Sequence, residues 1–153
     1  MEILVGPTDG THLPGGTIRV RGSQTGGAMA VFEQTLPPRK LIPPHVHAND
    51  VWVYVLSGET GVLVGDEIAT GGPGSWLLKP REVMHAMWNP GDEPSRIIEV
   101  LTPAGSEGFF EDLAVLARDD RDAFDAVCAR YGVRFLRDSP WTEELRARFG
   151  LDD

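Results

Sequence analysis

Pro43-Pro44-His45-Val46-His47-Ala48-Asn49-Asp50-Val51-Trp52-Val53-Tyr54-Val55-Leu56-Ser57-Gly58 is the stretch on which the reading of this chain turns. Its second half alternates Val51, Val53 and Val55 with Trp52, Tyr54 and Leu56. β-branched and aromatic residues at period two make a strand, and Ser57-Gly58 ends it in a turn. The first half carries two histidines one residue apart, which an extended chain aims to the same side. Neutral imidazole is the commonest transition-metal ligand. On spacing alone, such a pair is equally an ordinary polar loop.

Outward from this stretch, β-rich runs recur at short intervals up to Pro103. Strands are expected at Glu2–Val5, Thr17–Arg21, Ala28–Leu36, Val51–Leu56, Thr60–Val64, Ser75–Lys79, Met84–Asn89 and Arg96–Leu101. Between them stand Gly6-Pro7, Gly26-Gly27, Pro37-Pro38, Pro43-Pro44, Gly71-Gly72-Pro73-Gly74 and Asn89-Pro90-Gly91-Asp92, read as turns. Many short strands with frequent turns make a sandwich or barrel. A third histidine, His85, follows the pair by about forty residues.

Past Pro103 the apolar period changes to that of a helix. Phe109, Leu113 and Leu116 mark a first helix, and Phe124, Val127, Cys128 and Tyr131 a second that Gly132 can end. A third begins at Ser139-Pro140 and carries Trp141, Leu145 and Phe149. The expected organisation is a β-barrel over residues 1–104 and a helical extension of the same domain over 105–153. The apolar stripes of that extension pack on the barrel wall, over its mouth or against a second subunit, the wall being the simplest choice.

The 153 residues suit one domain. With 23 acidic and 14 basic residues the net charge is −9, which argues against nucleic acid or an anionic membrane as a partner. One cysteine and no basic-apolar leader point to a reducing, cytoplasmic setting. Cys128 sits on a helix stripe and reads as a buried thiol, His12 as a surface group. Trp52, Tyr54, Trp76 and Trp88 read as packing residues between the sheets and helices or at a subunit contact.

Two motifs in order resemble the cupin superfamily over about Pro43 to Asn89, and the tail resembles that of small single-barrel, quercetin dioxygenase-like cupins. The first motif is the histidine pair followed by the strand ending at Gly58. The second is Gly74, Pro80, His85 and Asn89, with Glu82 where a further glycine is expected. The resemblance implies a mainly β double-stranded β-helix, a jelly-roll barrel, with His45, His47 and His85 as metal ligands. It departs at two places. Val51 occupies the position of the family's glutamate ligand, and Asp50 could replace it only if a bulge turned it inward. Arg39 stands where the first motif has its leading glycine, so the turn there is expected to be built differently.

Three imidazoles would leave the full charge on one divalent transition metal (Fe, Mn, Zn, Ni or Cu), favouring an anionic substrate that chelates through oxygen, such as an enolate, catecholate or α-keto acid. In family register Val51, Val53, Val55 and Met87 line a mostly apolar substrate pocket or, equally, fill the barrel. Two functions therefore stand open. One is a metal-dependent enzyme, dioxygenase-, isomerase- or cyclase-like, acting on a small oxygenated metabolite, aromatic or not. The other is a non-catalytic small-molecule binder or sensor that has lost its metal. The resemblance also implies a homodimer, with Glu2–Val5 as an exchanged strand.

Overall fold

The computed structural model describes residues 4–117 and 119–152. Among these, eleven strands and three α-helices follow one another, with one 3-10 turn at Gly22–Gln24: β1 (Thr11–Leu13), β2 (Gly16–Val20), β3 (Ala30–Leu36), β4 (Leu41–Val46), β5 (Asp50–Ser57), β6 (Thr60–Val64), β7 (Glu67–Gly71), β8 (Trp76–Lys79), β9 (His85–Trp88), β10 (Ser95–Thr102), α1 (Glu107–Ala114), α2 (Arg121–Arg130), β11 (Arg134–Phe135) and α3 (Trp141–Phe149). The strands form two antiparallel sheets ordered β1-β2-β3-β10-β5-β8 and β11-β4-β9-β6-β7. The inner neighbours β3–β10, β10–β5, β5–β8, β4–β9 and β9–β6 are distant in the chain, as in a double-stranded β-helix.

Alternation explains the layers. Val51, Val53 and Val55 of β5, Ile97 and Leu101 of β10, and Phe32 and Leu36 of β3 turn inward and form one buried core with Met87 of β9. On the outward face of the six-stranded sheet Trp52 is 43% and Trp76 56% exposed. Of the two placements expected for the tryptophans, Trp88, which is fully buried, takes the internal one, and Trp52 and Trp76 do not. Trp88 lies flat over β6 because position 61 is glycine: a Cβ there would stand 2.2 Å from its ring.

Pro43 and Pro44, expected in a turn, lie within β4. Proline offers no N–H to a ladder, so a strand can carry it only at an edge or bulge. The β4–β9 pairing accordingly shifts register between Ile42 and His45. The shift changes the parity of the strand, so Ile42 and His45, three apart, face the same interior. It also sets His45 directly opposite His85.

The two departures from the motif glycines keep the glycine backbone. Arg39 has φ 59° and Glu82 φ 58°, the only positive values among described non-glycine residues. The turn at Arg39 is thus not rebuilt. It is held in the left-handed region by bonds from the guanidinium to the Asp92 carboxylate, 2.7 Å, and to the carbonyls of Pro90 and Phe149.

The helical tail divides its packing. Leu145, Leu151, Trp141 and Phe149 cover the outside of the five-stranded sheet against Leu41, Leu63, Ala86 and Trp88, which is the expected wall position. Helix α1 instead lies at the barrel mouth, where Phe110 stacks on Phe32 with ring centroids 4.0 Å apart. Glu107 fastens it by accepting from the N–H groups of Gly22, 2.8 Å, and Gly105, 2.7 Å. Asp120 caps α2 through the Ala123 N–H, and α3 begins after Pro140 without a cap from Ser139. The expected N-terminal strand falls partly outside the described residues, and Leu4 and Val5 are exposed and not in a strand.

Candidate metal centre

The β4 bulge and the β4–β9 pairing bring three imidazoles into one place. His45 at the end of β4, His47 in the loop that follows and His85 at the start of β9 are all buried, and one ring nitrogen of each lies within 4.8 Å of the others. Each ring is oriented by main chain two residues away. The Nδ1 atoms stand 2.7 Å from the Pro43 carbonyl, 2.8 Å from that of Asn49 and 2.8 Å from that of Val83, for His45, His47 and His85 in turn. A carbonyl can only accept, so every Nδ1 carries the hydrogen and every Nε2 presents a lone pair.

Those lone pairs face one another. The Nε2 atoms of His45 and His85 are 3.1 Å apart, and the buried Nε2 of His47 has no hydrogen-bond partner among the described residues. Protons do not relieve the arrangement at neutral pH. Burial, reinforced by the nearby Lys79 charge, holds His45 at about 3 and His47 at about 4. Burial and the His45 charge hold His85 at about 2. Converging, neutral, fixed-tautomer nitrogens with no proton to share fit a soft or borderline cation.

Residues 32–101 match the family model for the cupin domain. Over those residues the chain carries a cupin domain. Among solved structures the cupin barrel resembles KdgF from Halomonas sp. (20% identity, TM-score 0.55), covering 65% of this chain and 90% of that one. It also resembles an uncharacterised protein with a double-stranded β-helix domain from Klebsiella pneumoniae subsp. pneumoniae (21% identity, TM-score 0.51), covering 66% of this chain and 84% of that one. A salicylate 1,2-dioxygenase from Pseudaminobacter salicylatoxidans is similar over 74% of this chain at 22% identity and TM-score 0.52. This cupin spans 28% of the dioxygenase chain. These likenesses are of fold. Comparison of the sequence with curated proteins gives no match.

The cupin's missing carboxylate is not supplied from next door. Val51 is buried and lines the cavity, as its register requires. Asp50 points the other way, where its carboxylate accepts from the Arg81 backbone N–H at 2.8 Å and from the Arg81 guanidinium at 2.7 and 3.0 Å. That pairing holds its pKa below the usual carboxylate range, and no bulge turns it inward. His12 also stands apart, bonded to Thr8 and Thr17.

The cavity beside the histidines measures about 210 Å³, small against the ~300–1,000 Å³ of drug-sized sites. Of the four residues expected to line it, only Val51 does so. Val53, Val55 and Met87 are wholly buried in the core beneath, because the cavity sits at the mouth and the barrel below it is filled. The stripe of α1 takes the second of the expected placements, over the mouth: Phe109, Phe110 and Leu113, with Val133 and Phe135, close the cavity from above. Phe135 stacks on His45, centroids 5.0 Å apart, because β11 adds itself to the edge of β4 with Phe135 opposite His45.

Sequence reasoning also missed a buried ion pair in the cavity wall, Lys79 on β8 with Glu99 on β10. Its signal was present. Lys79 alternates with Leu77, and Glu99 sits between Ile97 and Leu101, so both charges fall on the inward face of their strands.

Proposed function

We propose that His45, His47 and His85 hold one divalent transition metal through their Nε2 atoms, and that this cupin is a metal-dependent enzyme acting on a small oxygenated molecule. The observation that carries this reading is the fixed tautomer: three imidazoles anchored at Nδ1 leave three buried lone pairs aimed at one point. Fe, Mn, Zn, Ni and Cu all accept such donors. When bound, the ion would act as a Lewis acid, or as a redox centre if iron or copper. Oxygenase, isomerase and cyclase chemistry are all within that range, and homodimer assembly in a cytoplasmic setting belongs to the same proposal.

The protein's own residues do the rest. The backbone carbonyls hold each ring in place. Three neutral rings leave the ion's charge undiminished, so a substrate presenting oxygen donors is favoured. Phe109, Phe110, Leu113 and Phe135 exclude water and give an apolar body a surface to lie on. The volume admits a single-ring or similarly small molecule.

Metal analysis of protein purified without a histidine tag tests the reading. One equivalent of ion is expected after supplementation, falling well below one in His45→Ala, with turnover abolished by a chelator and restored by a single ion. A second reading, a non-catalytic binding or sensor barrel, is favoured by Val51. Ligand-induced thermal stabilisation indifferent to chelator would support it over the first.

A further inference from the structure

The cavity has a polar wall that the histidines do not use. Strands β8 and β10 flank β5 on opposite sides, with Lys79 opposite Val51 and Glu99 opposite Val53. The Lys79–Glu99 pair therefore bridges across β5 on its inner face, over the position where the cupin motif has its carboxylate and this chain has the short Val51. Both side chains are almost wholly buried, 6% and 4% exposed. Taking two charges out of water is costly, and an apolar pair of similar volume would fill a barrel wall at least as well. Their neighbours on the same face, Leu77, Ile97 and Leu101, show that the wall is otherwise built that way.

The pair is also incompletely bonded. An ammonium offers three N–H donors, and the hydrogen bond Lys79 makes is to one oxygen of Glu99. That bond engages one of the two Glu99 oxygens, and both residues line the cavity. Unspent donors thus stand beside unspent acceptors, in a unit whose net charge is zero. A carboxylate brought here would add a second negative charge beside Glu99, and an ammonium a second positive charge beside Lys79. An ether would leave the acceptors unmet. A hydroxyl matches: its oxygen accepts from Lys79 while its hydrogen goes to Glu99.

We propose that Lys79 and Glu99 are the specificity determinants of this cavity and read a hydroxyl group, alcohol, enol or phenol, on a small apolar molecule. The inference deepens the proposed function by naming a feature of the substrate, and it needs no metal to be tested. A site built around a hydroxyl rejects the analogue that lacks it, because its own buried polar groups are then left unpaired.

The test uses phenol, anisole and toluene as probes, titrated by NMR into full-length protein treated with chelator. Phenol is expected to bind at least tenfold more tightly than anisole or toluene. In the double variant Lys79→Met/Glu99→Leu, which removes both buried charges together and leaves no polar group in their place, the preference is expected to fall below twofold. In the wild type, the carboxyl carbon resonance of Glu99 should move with phenol and not with anisole, a readout independent of how the variant folds. Equal binding of phenol and anisole, absence of saturable phenol binding, or a preference that survives in the double variant overturns the proposal. Zinc content measured on a supplemented sample separates the two readings: one equivalent of zinc without hydroxyl preference leaves the histidine centre standing, and preference without zinc binding leaves this one.

Discussion

Arg39 and Glu82 share a left-handed backbone conformation at the entrances to the two strands that carry His45 and His85, and only Arg39 uses its side chain to hold it. The Glu82 side chain is exposed, while its backbone N–H donates to the His47 carbonyl at 2.9 Å. A left-handed residue with a Cβ costs roughly 1–2 kcal/mol, and glycine relieves that at an entropic cost of roughly 0.5–1 kcal/mol. Glu82→Gly is therefore expected to raise stability by about 0.5 kcal/mol, read from urea denaturation. Arg39→Gly removes the same strain but also the bonds to Asp92, Pro90 and Phe149, and is expected to lower stability by about 1 kcal/mol.

Acid should act on the metal-free protein through the buried rings. Their folded pKa values, about 3, 4 and 2, lie below the ordinary 6.5. The unfolded chain thus takes up protons first, and stability present above pH 6.5 is lost as pH falls through the interval down to about 4 and below. Each ring contributes up to about 1.4 kcal/mol per pH unit there. Urea midpoints at pH 7.0, 6.0 and 5.0 check this: a steady fall is expected, and a flat profile would contradict buried neutral rings. Metal affinity should fall over the same interval, since an ion and protons compete for the same nitrogens.

Val51→Glu places a carboxylate in the cupin position beside the three rings. Calorimetric titration is expected to show manganese or zinc bound at least tenfold more tightly, because an anionic oxygen is added to a neutral donor set. Without metal the same variant should unfold more easily, its new charge being buried. Asp50→Asn is the contrasting case. Its carboxylate is committed to Arg81, so metal stoichiometry and affinity should not change.

Phe110→Ala opens the roof of the cavity. The ring stacks on Phe32 and is partly buried, so a loss of about 2 kcal/mol is expected, below the ~3–5 kcal/mol of a fully buried phenylalanine. Binding of small aromatic probes should weaken with it, while metal content stays at the wild-type level. A variant that lost its metal would show that α1 supports the histidines as well as the cavity.

What the sequence made legible were features with local spacing: the His-x-His pair, the strand after it, and His85 at its fixed distance from Gly74 and Pro80. What it concealed arises where a local rule is broken or where partners are far apart in the chain. Pro43-Pro44 reads as a turn by composition, yet the bulge that accommodates it is what points His45 inward. Val53, Val55 and Met87 share the parity of lining residues, but depth along the barrel, which parity does not encode, places them in the core. The Lys79–Glu99 pair was hidden because charged residues are read as solvated unless their strand alternation is taken seriously. The roof depends on how α1 and β11 return to the mouth, a tertiary contact without a motif.

Because each histidine is steered by a peptide carbonyl rather than by another side chain, no substitution elsewhere can delete the group that aims it. Mutation can therefore remodel the surrounding wall, roof and charge pair without removing the carbonyls to which the three rings are bonded. Such a centre can be recruited to new ligands by drift in its surroundings, and it can gain or shed an ion without the chain having to refold around it.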